Sequence, residues 1–198
     1  MNRRFKITLI VLLIALVSLG VNAFKNISGT FPVSASVKAR GDDPEQVLNA
    51  LSKYRTWTLV NPMPVMMDSV VSTLCAAPLS RPANPHQNKF LSVYVNETGR
   101  EAMMTRRAPH FPQGSLIVKE KLGSKESQTP ELLTAMLKRE KGYNPESGDW
   151  EYMLLDGAAS KIVERGRLSS CSVCHAAYSS TDYVTRKYLP DDVRSKLR

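Results

Sequence analysis

The run Cys171-Ser172-Val173-Cys174-His175 is the most informative stretch of this 198-residue sequence. Its C-x-x-C-H spacing is typical of a covalent attachment site for c-type haem. Two cysteines three residues apart on a helical turn bring both sulfurs to one side of the backbone, where each can add to a haem vinyl group. The histidine that follows supplies an imidazole nitrogen as the proximal iron ligand. The run therefore predicts one covalently attached haem, held by Cys171 and Cys174, with His175 on the iron.

Two other interpretations of the paired cysteines are a redox dithiol and half of a zinc site. A dithiol does not need a histidine directly after the second cysteine. A zinc site needs four ligands, and the other cysteine and histidines of the chain, Cys75, His86 and His110, do not stand at ligand-like spacing. Haem attachment is therefore the preferred interpretation.

The N-terminal residues 1–23 resemble a secretory signal peptide. Arg3, Arg4 and Lys6 precede an apolar run over 7–19, and small residues follow where a signal peptidase would cleave. The alternative is an uncleaved membrane anchor, although the apolar run is shorter than the roughly 20 residues that span a bilayer. In either case we expect export to the periplasm, where c-type haem is attached, with residues 24–43 as a tether.

The net charge of +9 at pH 7 makes the chain basic, and about three of those charges lie in the leader. Lysines and arginines do not alternate with aromatic residues in the way that a nucleic-acid groove requires, so we expect no nucleic-acid partner. A mildly basic surface suits weak attraction to an acidic redox partner protein.

The remaining patterns predict a single α+β domain over 44–198, an antiparallel sheet with flanking short helices. Strand signals occupy 56–60, 90–95, 115–122 and 150–155. Thr129-Pro130-Glu131, followed by Leu132, Leu133, Met136 and Leu137, predicts a capped helix that ends at Gly142. Further helices are predicted from Pro44, over 97–104 and over 168–178.

The position of the haem motif limits the type of cytochrome. Small electron-transfer cytochromes c place a methionine ligand after the motif, but no methionine follows His175. The helical cytochromes c′ need four long helices, which the strand signals contradict. These patterns favour a β-rich haem protein in which side chains of the sheet close the distal side.

The chain resembles the cytochrome P460 family and its relatives, the cytochromes c′-beta, from about Lys53 to Pro190. The resemblance combines the haem motif with stretches at 53–57, 92–95, 111–120, 148–152, 181–184 and 188–190. It implies a dimer-forming antiparallel sheet with flanking helices. In the family a lysine on the strand after a glycine turn bonds to a meso carbon of the porphyrin, and the matching residue is Lys119. The alternative is that Lys119 and Lys121 form a charged pair on a solvent face.

The resemblance implies an oxidoreductase that oxidises small nitrogen species, hydroxylamine or nitric oxide, at an open iron site. Leu91 stands where we expect a distal arginine, and an apolar distal wall favours binding of nitric oxide or carbon monoxide without turnover, as in the cytochromes c′-beta. A third possibility is a simple electron-transfer cytochrome in which Met63, Met66 or Met67 supplies a sixth ligand.

Overall fold

A seven-stranded antiparallel sheet is the centre of the fold. The structure is a computed structural model that describes residues 43–68 and 87–198. The strands pair in the order β1-β3-β4-β5-β6-β7, and β2 also pairs with β3. Their bounds are β1 Thr58–Leu59, β2 Val65–Met66, β3 Phe90–Val95, β4 Leu116–Leu122, β5 Leu132–Lys138, β6 Trp150–Asp156 and β7 Ile162–Gly166.

Short helices flank the sheet, so the predicted α+β class is confirmed. The α-helices are α1 Pro44–Leu51, α2 Glu97–Met104, α3 Ser169–His175 and α4 Asp191–Arg194. Short 3-10 segments lie at Tyr54–Thr56, Pro145–Ser147 and Ala176–Thr181. Within the described residues, no helix combines the length and apolar character needed to span a bilayer. The predicted leader and nearly all of the tether lie outside those residues.

Local sequence signals place several elements correctly. The helix predicted from Pro44 is α1, and Asp43 caps it, because its carboxylate accepts a hydrogen bond from the Glu45 amide at 3.0 Å. Asn96 caps α2 in the same way through the Gly99 amide at 3.1 Å. The predicted strands β3, β4 and β6 agree with the structure to within one residue at each end.

The helix predicted after Thr129-Pro130-Glu131 is wrong, because this segment forms the central strand β5. β5 pairs with β4 on one side and with β6 on the other. Its two faces are both covered: Leu133 and Leu137 pack on one side of the sheet and Met136 on the other. A strand buried on both faces does not alternate apolar and polar residues, so its pattern also fits a helical face.

Three smaller differences occur at element boundaries. The predicted strand over 56–60 is reduced to β1, because the 3-10 turn Tyr54–Thr56 precedes it. The edge strand β7 was not predicted, and none of its five residues is buried. The predicted helix over 168–178 divides into α3 and the 3-10 segment Ala176–Thr181.

The sheet has two covered faces, which we call front and back. The front face is covered by α2 and by the C-terminal segment, whose Val184 and Leu189 are buried. The back face is covered by α1, through Val47 and Leu51. Strand residues of the front cluster are Val93, Val95, Ile117, Met136, Trp150 and Tyr152, and those of the back cluster include Leu116, Val118, Leu133, Leu137, Met153 and Leu155.

A buried carboxylate on the back face is bound by two arginines. Glu151 is 3% exposed, and its oxygens lie 2.8 Å from Arg139 Nη1 and 2.7 Å from Arg165 Nε. Burial alone would raise the pKa of Glu151, but the hydrogen bonds from Arg165 and Arg139 outweigh it and lower the pKa below its ordinary value. Glu151 is therefore ionised in the folded protein at neutral pH.

We expect Glu151→Gln to destabilise the protein by about 3–5 kcal/mol near neutral pH, because two guanidinium groups lose their buried counterion. The folded-state pKa of Glu151 lies below its unfolded value, so its contribution is present above the unfolded pKa and is lost as the pH falls through the folded pKa. Urea unfolding of both proteins across the acid range measures this. A difference in stability that stays constant down to the lowest pH would contradict the assignment.

Candidate functional site

Helix α3 brings the two motif cysteines together on one turn. Cys171 is partly buried and Cys174 is 8% exposed, and both thiols are free of disulfide bonds. Positions three apart on a helix are neighbours on one face, so both sulfurs are available to the same ligand. Burial raises the pKa of the Cys171 thiol, which keeps that group protonated at neutral pH.

His175 is the last residue of α3, and one of its ring nitrogens forms a hydrogen bond. Its Nδ1 lies 2.7 Å from the backbone oxygen of Tyr183. Because a carbonyl oxygen can only accept, Nδ1 carries the proton and Nε2 keeps the lone pair that a metal would use. The ring centroid also lies 5.3 Å from that of Tyr152 on β6.

The imidazole of His175 is neutral over the physiological range. Burial of the ring, and next the positive charge of Lys119, lowers the pKa of His175 to about 4, although the hydrogen bond to Tyr183 acts in the opposite direction. A neutral imidazole with a defined tautomer is the form that binds iron.

The loop that supplies the Tyr183 oxygen has an unusual backbone. Asp182 and Tyr183 have φ angles of 55° and 62°, in the left-handed region that non-glycine residues rarely adopt. Each such residue costs roughly 1–3 kcal/mol unless its surroundings hold it. The Tyr183 amide bonds to the Tyr178 oxygen at 2.8 Å, and the Val184 amide to the Thr181 oxygen at 3.2 Å. The loop is therefore a defined turn that directs the Tyr183 carbonyl at His175.

Lys119 lies on the front face of the sheet, the same side as His175. Its Nζ is 5.0 Å from the ring centroid of Tyr188, a distance suited to a cation–π contact. The interpretation of Lys119 and Lys121 as a solvent-facing pair is wrong, because Lys119 is only partly exposed and Lys121 is 1% exposed. The positive charges of both lysines contribute to the low pKa of His175.

Lys121 and Leu91 form a cross-strand pair on the same face, and both are 1% exposed. Lys121 Nζ lies 3.6 Å from the sulfur of Met67. Sequence patterns alone do not identify Lys121 as a site residue. Lys121 stands two residues after Lys119, so strand alternation places both on one face of β4. Alternation does not show whether that face is covered, because the cover is supplied by the C-terminal segment.

The methionines considered as sixth ligands occupy different surroundings. Met63 and Met66 are each 61% exposed, near the sheet edge formed by the two short strands. Met67 is 8% exposed and contacts Lys121.

The residues considered for a zinc site are not gathered around the motif in the part of the chain that is described. The side chain of His110 is 90% exposed and lies 3.8 Å from Asp182. Residues 43–68 and 87–198 contain no group of three or more histidine, cysteine, aspartate or glutamate side chains able to hold a metal. Cys75 and His86 lie outside the described residues.

The donor set at α3 fits a c-type haem. Two thiols that form no disulfide stand one turn apart, and the adjoining imidazole presents Nε2 while its Nδ1 is bonded to Tyr183. The front face of the sheet, which His175 contacts through Tyr152, carries apolar and aromatic side chains together with Lys119 and Lys121.

A comparison with protein families agrees with this chemistry. The family model described as Cytochrome P460 matches residues 51–186, a span that includes the central strands and the motif. No curated protein matches the chain.

Proposed function

This chain belongs to the cytochrome P460 family and is therefore a haem cytochrome, and on that premise we propose that it is an exported mono-haem c-type cytochrome acting on small nitrogen species. The observation that carries the proposal is the geometry of His175, whose Nδ1 is bonded to Tyr183 and whose Nε2 is left for iron. Bound haem would supply an iron centre that binds a small ligand on its open side and exchanges electrons with it.

The residues of α3 would hold the haem in this proposal. The S–H bonds of Cys171 and Cys174 would add across the two vinyl groups, each sulfur bonding to carbon and each hydrogen passing to the neighbouring vinyl carbon. His175 would donate its Nε2 lone pair to the iron. The Tyr183 carbonyl would keep the imidazole in the correct tautomer and direction.

The proposed reaction is oxidation of hydroxylamine or nitric oxide. The electrons removed from the substrate would pass to the redox partner protein, and Lys119 contributes a positive charge near His175. Lys119 is also the candidate for a covalent bond to the porphyrin, since it lies on the same covered face as His175. Its contact with Tyr188 would hold the side chain in that region.

A second candidate function is binding of nitric oxide or carbon monoxide without turnover. The buried Leu91 favours it, because an apolar side chain on the front face cannot exchange protons with a substrate. Simple electron transfer receives less support, since Met63 and Met66 are exposed and Met67 contacts Lys121.

The cellular location, the redox partner and the oligomeric state of the protein are also part of the proposal. The basic leader and its apolar run support export to the periplasm, by cleavage of residues 1–23 or by their retention as an anchor. The net positive charge supports an acidic redox partner protein. The family resemblance supports a homodimer.

Incubation of purified ferric protein with hydroxylamine and an artificial electron acceptor tests the proposed reaction. We expect steady reduction of the acceptor that depends on both protein and hydroxylamine. Tight nitric oxide binding with no acceptor reduction would instead select the non-catalytic alternative. A methionine-to-iron charge-transfer band would select electron transfer.

Covalent attachment is tested by replacing both motif cysteines. In the Cys171→Ala/Cys174→Ala protein, acid acetone should extract the haem completely, because no thioether remains. The matched control is Cys75→Ala, which removes the cysteine outside the motif and should retain the haem. Equal extraction from wild type and the double variant would disprove the attachment.

The cross-link is tested by comparing two lysines of one strand. Lys119→Ala should move the Soret and visible absorption bands towards those of an ordinary c-type haem, because a bond to the porphyrin ring is lost. Lys121→Met, two residues along on the same face, removes a charge without removing that bond and should leave the bands in place. Identical spectra for wild type and Lys119→Ala would mean that Lys119 is not bonded to the haem.

A further inference from the structure

A buried ion pair joins the C-terminal segment to the end of β5. Lys138 Nζ lies 2.7 Å from both carboxylate oxygens of Asp182, and the two side chains are 7% and 8% exposed. Lys138 also donates to the backbone oxygen of Gly148 at 2.7 Å and lies 5.1 Å from the ring centroid of Trp150. Both charged groups are therefore held in one arrangement.

Asp182 is fixed at its backbone as well as at its side chain. Its carboxylate accepts a hydrogen bond from the Phe111 amide at 2.8 Å, and its backbone oxygen accepts one from Trp150 Nε1 at 2.7 Å. Lys138 and Trp150 are a cross-strand pair of β5 and β6. Two adjacent strands of the rigid sheet thus hold one residue of the C-terminal loop.

The residue after Asp182 carries the oxygen that bonds to His175. Asp182 and Tyr183 both have positive φ angles, so the direction of the Tyr183 carbonyl depends on the conformation in which Asp182 is held. The contacts therefore run in sequence from Lys138 and Trp150 to Asp182, through the backbone to the Tyr183 oxygen, and then to His175 Nδ1 at 2.7 Å.

Stability alone does not account for a buried charge pair here. In many proteins the free energy needed to remove two charges from water is as large as the free energy of their attraction. Proteins in which apolar residues replace such a pair are often equally stable. A pair with several defined partners instead restricts where its residues can lie. The ion pair between Lys138 and Asp182 therefore holds the loop in a defined position.

We propose that Asp182, held by Lys138, is a positioning residue for the iron ligand: it fixes the Tyr183 carbonyl and so sets the hydrogen bond to His175 Nδ1. This rests on the proposed function, in which His175 binds haem iron. A firm acceptor on Nδ1–H makes the imidazole a stronger donor, which stabilises ferric over ferrous iron. Loosening the loop therefore raises the reduction potential and weakens the bond from iron to histidine.

The test uses Asp182→Asn in the intact haem protein, with Glu151→Gln as the matched control. Both substitutions remove one negative charge from a buried ionic site, and the control site, Glu151 with Arg139 at 2.8 Å and Arg165 at 2.7 Å, lies on the back face of the sheet. We expect Asp182→Asn to raise the reduction potential and to lower the iron–histidine stretching frequency in the resonance Raman spectrum. Glu151→Gln should lower stability and move neither signal.

Trp150→Phe is a second variant for the case in which Asp182→Asn does not fold. It removes the indole N–H that bonds to the Asp182 backbone oxygen and keeps the ion pair. We expect a smaller shift of both signals in the same direction. Unchanged signals in this variant, or equal shifts in Asp182→Asn and Glu151→Gln, overturn the positioning role.

Haem extraction separates the two proposals. Wild-type protein from which acid acetone removes the haem overturns the proposed attachment, and the positioning role falls with it. A variant that keeps covalent haem, with its potential and stretching frequency unchanged, overturns only the positioning role.

Discussion

The ion pair between Lys138 and Asp182 connects a short helical segment to a rigid sheet, and the geometry of the site depends on that connection. Helix α3 has seven residues and no side-chain hydrogen bond at its N-cap, so it is too short to be stable by itself. Burial of Val184 and Leu189 against the front face supplies apolar contact, which is not directional. The ion pair and its hydrogen bonds are directional, because they form only when Asp182 occupies one position. They therefore orient the segment that follows α3.

Charge is divided between the two faces of the sheet, and this division influences the site. On the back face, Glu120 bonds to Tyr54 and Arg55, while Glu151 is bound by Arg139 and Arg165. On the front face, β4 carries Lys119 and Lys121, and both lower the pKa of His175. Alternation along β4 produces this arrangement, since Glu120 lies between two lysines and points to the opposite side. The result is a neutral imidazole whose pKa is lowered by two lysines of the covered front face.

Local patterns predicted the elements whose cause is local. Asp43 and Asn96 cap their helices through hydrogen bonds that span two or three residues, so the sequence was sufficient. Strand β3 was equally clear from its β-branched and aromatic residues. The failure at β5 has a physical origin, because Leu132, Leu133, Met136 and Leu137 satisfy a helical period and a doubly buried strand equally well. Only the neighbouring strands β4 and β6 decide between them.

The sequence by itself indicated the family and the candidate donor atoms of the site. Cys171 and Cys174 are three residues apart and His175 follows directly, so one helical turn brings the two thiols and the imidazole together. This proximity does not depend on where the segment lies in the fold. The tertiary structure decided which histidine nitrogen is available and that Lys119 and Lys121 face a covered surface. Those properties depend on contacts between distant parts of the chain, such as the one that joins Lys138 to Asp182 across 44 residues. Spacing along a sequence does not encode such contacts, since they exist only when the sheet is assembled and its faces are covered.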